Sequence, residues 1–192
     1  MKRLLVILGP VVLCGCAAAA LDSNSALGLV PQPKEVHQRD GGFRVDRDTK
    51  IFVQLGHQSE DRIAAETLAE QISDQSGLQL DIVGMKPAGK AADGAIVLAR
   101  LQDSRVRRFL AEKGLKADAL VGDAGYLLFS DKSHLIVAAN SGQGLFSGVQ
   151  TLRQLLRQDG KKLIFPAVTI RDWPNLGQQE PQDLSEARFP ER

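Results

Sequence analysis

The sequence predicts an α+β fold: a mixed, largely antiparallel sheet with helices packed on one face, in a single domain that follows a signal segment. Three observations predict it. Segments with strand patterning outnumber those with helical patterning, turn signals join neighbouring strands into hairpins, and no regular strand-helix-strand alternation runs along the chain. With 192 residues, 43% hydrophobic and 24% charged, the composition suits one ordinary core.

The chain opens with Lys2 and Arg3, an apolar run from Leu4 to Leu13, and small residues at Gly15 and Ala17 to Ala20. This is the three-part layout of a secretory signal over residues 1–20, too short for a spanning helix. Leu13-Cys14-Gly15-Cys16 resembles the bacterial lipobox, whose last cysteine is lipidated once the chain is cut in front of it. Cys16 is therefore the candidate lipidation site, and the expected location is the cell envelope, with a lipid anchor in the membrane. Cys14 departs from the usual box, and cleavage within Ala17 to Ala20 would instead leave a soluble exported protein. A metal or redox role for the Cys-x-Cys pair is the poorer reading. Both cysteines of the chain lie in this segment, so the mature domain must be held by its core and not by a disulfide.

A polar linker, 21–28, leads to Leu29-Val30-Pro31-Gln32-Pro33, which two prolines hold extended. Gly41-Gly42 is a turn, and Phe43 to Val45 with Lys50 to Gln54 read as a hairpin. Ser59 is a candidate cap for the next helix, Glu60 and Asp61 suit its positive end, and Ile63, Ala64, Thr67, Leu68, Gln71 and Ile72 recur on one face up to Gly77. Leu78, Leu80 and Ile82 alternate with Gln79 and Asp81 as in a strand. A loop from Gly84 to Gly94 precedes a buried strand, Ala95 to Ala99. Val106, Phe109 and Leu110 mark a short helix stopped at Gly114, with Arg105, Arg107 and Arg108 on its exposed side. Tyr126 to Ser130 and His134 to Ala139, joined by Asp131-Lys132-Ser133, form the clearest hairpin. Leu145, Val149, Leu152 and Leu156 repeat at helical spacing after Gly144. Leu163 to Phe165 and Ala167 to Ile170 are two short β segments divided by Pro166, and the polar tail, 175–192, is expected to be disordered.

Twenty-four Lys and Arg against 23 Asp and Glu leave a formal charge of +1, of which Lys2 and Arg3 are part, so no concentrated basic surface for nucleic acid is expected. Gly142-Gln143-Gly144-Leu145-Phe146-Ser147-Gly148 superficially matches a dinucleotide fingerprint, but it follows the second arm of a hairpin and no ribose-binding acid is in place. Close helix packing explains it better. His37, His57 and His134 lack metal-ligand spacing. Ser141 and Ser147 lack a nucleophile elbow. Glu60-Asp61 sits where a helix start accounts for both. Trp173 and Tyr126 alone do not outline a sugar platform. The residues thus nominate no catalytic, cofactor or metal site.

Three blocks carry a resemblance. Leu29-Val30-Pro31-Gln32-Pro33-Lys34-Glu35-Val36 followed by Gly42-Phe43 resembles the opening of the domain that precedes the catalytic barrel in family 20 glycoside hydrolases, the β-N-acetylhexosaminidases. Gly125-Tyr126-Leu127-Leu128, Ile136 to Asn140 and Gly144 to Leu156 resemble its closing hairpin and helix. Phe165-Pro166-Ala167-Val168-Thr169-Ile170-Arg171-Asp172-Trp173-Pro174 resembles its exit. The resemblance covers about residues 29–177 and implies a hexosaminidase-like N-terminal domain at 29–174.

After the Asp-Trp-Pro exit the family normally continues with an aromatic-Arg-Gly sequence into the first barrel strand, whereas Asn175 to Pro181 is polar. The family's adjacent Asp-Glu pair in the barrel, Glu as general acid and Asp orienting the substrate acetamido group, has no match here, since the chain contains no Asp-Glu dipeptide. The resemblance therefore implies an exported accessory domain, truncated or split from its barrel and inactive alone. Its expected partners are a separately encoded glycosidase barrel or a glycan, and the membrane if Cys16 is modified. The alternative is a stand-alone envelope lipoprotein that binds a glycan or a protein.

Overall fold

The computed structural model describes residues 27–54, 56, 58–85, 93–160 and 162–174. The expected signal segment with Cys16, most of the expected linker, His57 and residues 175–192 lie outside the described residues. In chain order the elements are β1 (Glu35–Val45), β2 (Ile51–Gln54), α1 (Gln58–Ser76), β3 (Ile82–Met85), β4 (Ala95–Arg100), α2 (Ser104–Glu112), β5 (Tyr126–Ser130), β6 (His134–Ala139), α3 (Gly142–Leu155), β7 (Arg157–Asp159) and β8 (Lys162–Asp172). A 3-10 turn, Ala119–Val121, lies between α2 and β5.

All the described strands share one sheet in the order β1-β8-β5-β6-β4-β2-β3, with β7 pairing β8 beyond the end of β5. The β1, β8, β5, β6 half is antiparallel, and β7 joins it in that sense. The β6, β4, β2, β3 half is parallel. The expected α+β class, with a mixed and largely antiparallel sheet in a single domain, is what the chain adopts.

Burial explains the apolar runs. Along β4, Ile96 and Leu98 face one core layer while Val97 and Ala99 face another, and β5 and β6 divide their side chains the same way. Such strands are wetted on neither face and so lose the alternation of a half-exposed strand. The larger layer is closed by α1 through Ala64, Ala65, Leu68 and Ile72 and by α3 through Leu145, Val149, Leu152 and Leu155. Arg153 ties the two helices together, donating to Gln71 Oε1 at 3.1 and 2.9 Å. The short α2 lies over the opposite face, where Leu110, with Val106 and Phe109, covers Val97, Leu127 and Phe129. The two long helices share one face as expected, and α2 adds a cover on the other.

Several local expectations are corrected. Phe43 to Val45 and Ile51 to Gln54 are not hairpin partners: β1 pairs with β8, and β2 pairs in parallel with β3 and β4. Local turn chemistry suggested the hairpin, but Phe43 and Val45 gain more by joining the core through β8. The β2-α1-β3 stretch is a strand-helix-strand unit that no hairpin signal reveals. Leu78 and Leu80 do pack against the core, but the strand itself begins only at Ile82. Ser59 lies inside the first turn of α1, so the cap position falls outside the described residues. Ile63 points to solvent, and the buried stripe runs instead through Asp61, Ala64, Ala65, Leu68 and Ile72. Pro166 does not divide β8. It sits opposite Gly42 beside a bulge in β1, where the ladder is already interrupted and a missing N–H costs little. Gly42 is required there, because a Cβ would fall 2.3 Å from the Phe165 carbonyl oxygen.

Candidate functional site

Two places could hold chemistry: the crevice at the strand ends and the groove where the chain leaves the domain. The parallel strands β2, β4 and β6 end together at Gln54, Arg100 and Ala139. The connection after β2 enters α1 on one face, whereas that after β4 enters α2 on the other. In open sheets such a divergence leaves a crevice that commonly accepts a ligand.

Here the protein fills that crevice with its own side chains. Arg100 is 4% exposed and Asp61, in the first turn of α1, is wholly buried. The guanidinium donates from Nε to Asp61 Oδ2 at 3.0 Å and from Nη2 to Asp61 Oδ1 at 2.6 Å. Nη2 also reaches Glu60 Oε2 at 3.0 Å, and Nη1 reaches the Asn140 carbonyl at 3.0 Å. Gln54 Oε1 accepts the Arg100 backbone N–H at 2.8 Å. Burial works against the charge on Arg100, but the two carboxylates outweigh it and raise its pKa above the ordinary value. Gly142 closes the remaining side, since a Cβ there would lie 2.8 Å from Glu60 Cβ.

The glycine-rich segment is occupied too. Ser141 caps α3, accepting from the Gly144 N–H at 3.2 Å, and donates its hydroxyl proton to the Asp123 carbonyl at 2.6 Å. A Cβ on Gly144 would lie 2.4 Å from the Gly125 carbonyl oxygen, so the loop packs against its own chain and leaves no cradle for a phosphate. Ser147 donates to the Gln143 carbonyl one turn back. His37 is exposed on β1. His134 stands between Asp131, 3.2 Å from Nδ1, and Asp93, 3.3 Å from Nε2. Burial pushes the Asp131 carboxyl up, but the amides of Ser133 and His134 and the imidazole hold it below its usual range. Among the described residues, no three His, Cys, Asp or Glu side chains converge as metal ligands.

The exit groove encloses about 500 Å³ among Val30, Tyr126, Phe146, Gln154, Trp173 and Pro174. Gln154 binds the backbone of Val30 in both directions, each at 2.9 Å, which fixes the proline-rich entrance against α3. Asp172 accepts the Lys34 N–H at 3.1 Å. Arg171 pairs with Glu35 at 2.7 Å and with Asp118, and its guanidinium lies 4.7 Å over the Trp173 ring. Tyr126 forms the floor, its hydroxyl 2.6 Å from Thr151 Oγ1, and burial pushes the phenol pKa well above its ordinary value. Val30 at 76% exposure and Phe146 at 40% leave apolar surface uncovered.

This geometry defines a layered α+β module that plugs its own strand-end crevice and keeps its open surface at the exit. The model for "Glycosyl hydrolase family 20, domain 2" matches residues 26–173. A β-hexosaminidase of Porphyromonas gingivalis is 27% identical over 162 residues, covering 80% of this chain and 18% of that protein. A Flavobacterium johnsoniae chitobiase superposes with TM-score 0.58 at 22% identity, over 78% of this chain and 21% of the other, a likeness of fold. The Streptomyces plicatus N-acetyl-β-hexosaminidase does so with TM-score 0.55 at 29% identity, over 75% and 26%. The chain belongs to glycosyl hydrolase family 20, through that family's domain 2. It spans about a fifth of the length of the curated relative it matches.

In the sequence the helix start alone accounts for Glu60-Asp61 and hides the buried pair. The one signal is Arg100 itself, a charge that closes an otherwise apolar strand and needs either solvent or an acid.

Asp61→Ala leaves the Arg100 charge buried and half-satisfied, and should cost about 3–5 kcal/mol of unfolding free energy in urea titrations. Asp61→Leu combined with Arg100→Met should lose clearly less than that single change; an equal or larger loss would contradict this account of the crevice.

Tyr126 is the one tyrosine of the chain, so phenolate absorbance reads it alone. In the unfolded chain it should titrate near the ordinary value of about 10, and in the folded chain distinctly higher. The unfolded state then binds fewer protons above that pH, so stability falls as pH rises through it. Equal midpoints in folded and urea-unfolded protein would refute the buried floor.

Proposed function

We propose that this chain is an exported, non-catalytic accessory domain of a β-N-acetylhexosaminidase-type glycoside hydrolase, and that it buttresses a catalytic barrel through the face that carries α1, α3 and the exit groove. The observation that carries this reading is the uncovered apolar surface of Val30 and Phe146, placed where Trp173 and Pro174 lead the chain out of the domain. Ile63, 58% exposed on α1, is a further uncovered apolar residue on the helices of this side of the sheet. Glycoside hydrolysis needs an acid and a second carboxyl group facing one scissile bond. The described carboxylates this fold partly or wholly buries, Glu35, Asp61, Asp103, Asp131 and Asp172, are instead engaged by their own chain.

The domain would reach the cell envelope through the segment ending at Cys16, lipidated there and tethered through the linker 21–28. A hexosaminidase would be placed in this way where N-acetylhexosamine glycans occur.

The decisive assay measures aryl alcohol release from an aryl N-acetyl-β-glucosaminide, by the purified chain alone and with a separately expressed hexosaminidase barrel. The chain alone should be silent and should raise the activity or half-life of the barrel, while Phe146→Asp should abolish that rescue without altering the circular dichroism. Turnover by the chain alone would overturn the accessory reading.

For the anchor, labelled palmitate should enter the full chain in a bacterial host, and Cys16→Ser should remove both the label and the membrane-fraction signal. Label retained by Cys16→Ser would sink the assignment of Cys16.

A further inference from the structure

Helix α2 carries charges that neither its own stability nor the fold explains. Its exposed side presents Arg105, Arg107 and Arg108, all within its first turn and a half. Asp103 caps the helix through the Arg105 backbone N–H at 2.9 Å, but the first turn itself holds no acid and the last turn no base. Cations at this end of a helix oppose the macrodipole. Among the described residues, none of the three guanidiniums has a hydrogen bond or an ion pair.

The contrast with α1 is direct. There Glu60 and Asp61 sit where the dipole favours them and where Arg100 receives them. On α2 the arginines sit where the dipole disfavours them, with no partner to compensate.

More positive charge gathers on the same side of the sheet. Lys113, at the end of α2, lies 5.3 Å over the Phe109 ring and 5.4 Å over Phe129, while Arg39 covers Phe129 at 5.1 Å. Lys116 is exposed just beyond. The nearby acids are largely engaged. Asp103 caps the helix, Asp131 faces Lys113 and His134, the exposed Asp93 faces His134, and Asp118 faces Arg171, leaving Glu112 as the exposed acid of α2.

We propose that this face of α2 is an electrostatic docking surface for an anionic phospholipid bilayer. The guanidiniums stand on a convex helix without a cradle, which suits an extended sheet of lipid phosphates better than a small anion held by several converging donors. Arginine pairs readily with phosphate. The surface lies across the sheet from α1, α3 and their layer, so the apolar side would stay free for a barrel while the cationic side meets lipid. The choice of a membrane as the source of phosphates rests on the proposed export through Cys16, but the contact itself is testable without it.

The full chain is sedimented with vesicles of phosphatidylcholine alone, or with phosphatidylglycerol added, at about 50 and about 500 mM salt. Binding to the neutral vesicles reports the apolar N-terminus, so the difference between vesicle types isolates charge. That difference should be present at low salt and absent at high salt. It should fall about tenfold or more in Arg105→Gln/Arg107→Gln/Arg108→Gln, and persist in the corresponding triple lysine variant, which also controls for folding. Equal charge-dependent binding by the glutamine variant, or no charge-dependent binding by the parent, would overturn the proposal. So would preferential capture of duplex DNA over phosphatidylglycerol vesicles at the same ionic strength. Failure here with palmitate still entering at Cys16 would leave the anchor standing.

Discussion

The domain turns on one buried contact, the double hydrogen bond from the Arg100 guanidinium to the Asp61 carboxylate. It joins the end of the central parallel strand to the start of the helix that covers it. Neither charge could be buried alone, so β4 and α1 are fixed in position relative to each other. Glu60 and Asn140 complete the coordination, and Gly142 brings the third parallel connection against it. The same contact decides the chemistry: the crevice where a strand-ended sheet offers room for a ligand is already full.

Much of the fold was legible because burial writes a strong pattern. The runs Tyr126 to Ser130 and His134 to Ala139, with Asp131 accepting the Ser133 and His134 amides in the turn, announce a hairpin through local chemistry alone. Leu145, Val149 and Leu152 give α3 in the same way. The first third of the chain was less legible, since the partner of β1 is β8, more than a hundred residues away, and no local signal encodes such pairing. Pro166 misled for a related reason. A proline ends a strand only if its N–H would have been used, and the bulge in β1 removes that condition.

The candidate site was only partly readable in the sequence. The close packing of the glycine-rich segment is legible from its context, and the structure supplies the reason in the approach of Gly144 to the Gly125 carbonyl. Trp173 and Tyr126 looked too few to form a surface, yet the fold brings them to one groove with Phe146 and Val30. That gathering depends on Gln154 holding the entrance to α3 and on Arg171, anchored by Glu35, lying over Trp173; the Gln154–Val30 and Arg171–Glu35 contacts join residues far apart in the chain.

The two faces of the sheet differ in a way that follows from what covers them. Long helices α1 and α3 bury the larger core and still leave Ile63, Phe146 and Val30 outside, a surplus of apolar surface that a solvated domain gains nothing by keeping. The short α2 buries little beyond Leu110, Val106 and Phe109, and its outer side is free to carry charge. Had the arginines of α2 served the helix, they would stand in its last turn, where the dipole attracts cations; had they served the core, an acid would meet them as Asp61 meets Arg100. They satisfy neither condition. An uncovered apolar side and a cationic side are thus separable properties of one scaffold. Substitutions confined to α2's surface should leave the other face, and the crevice between, unchanged, because no described contact of these three side chains reaches either.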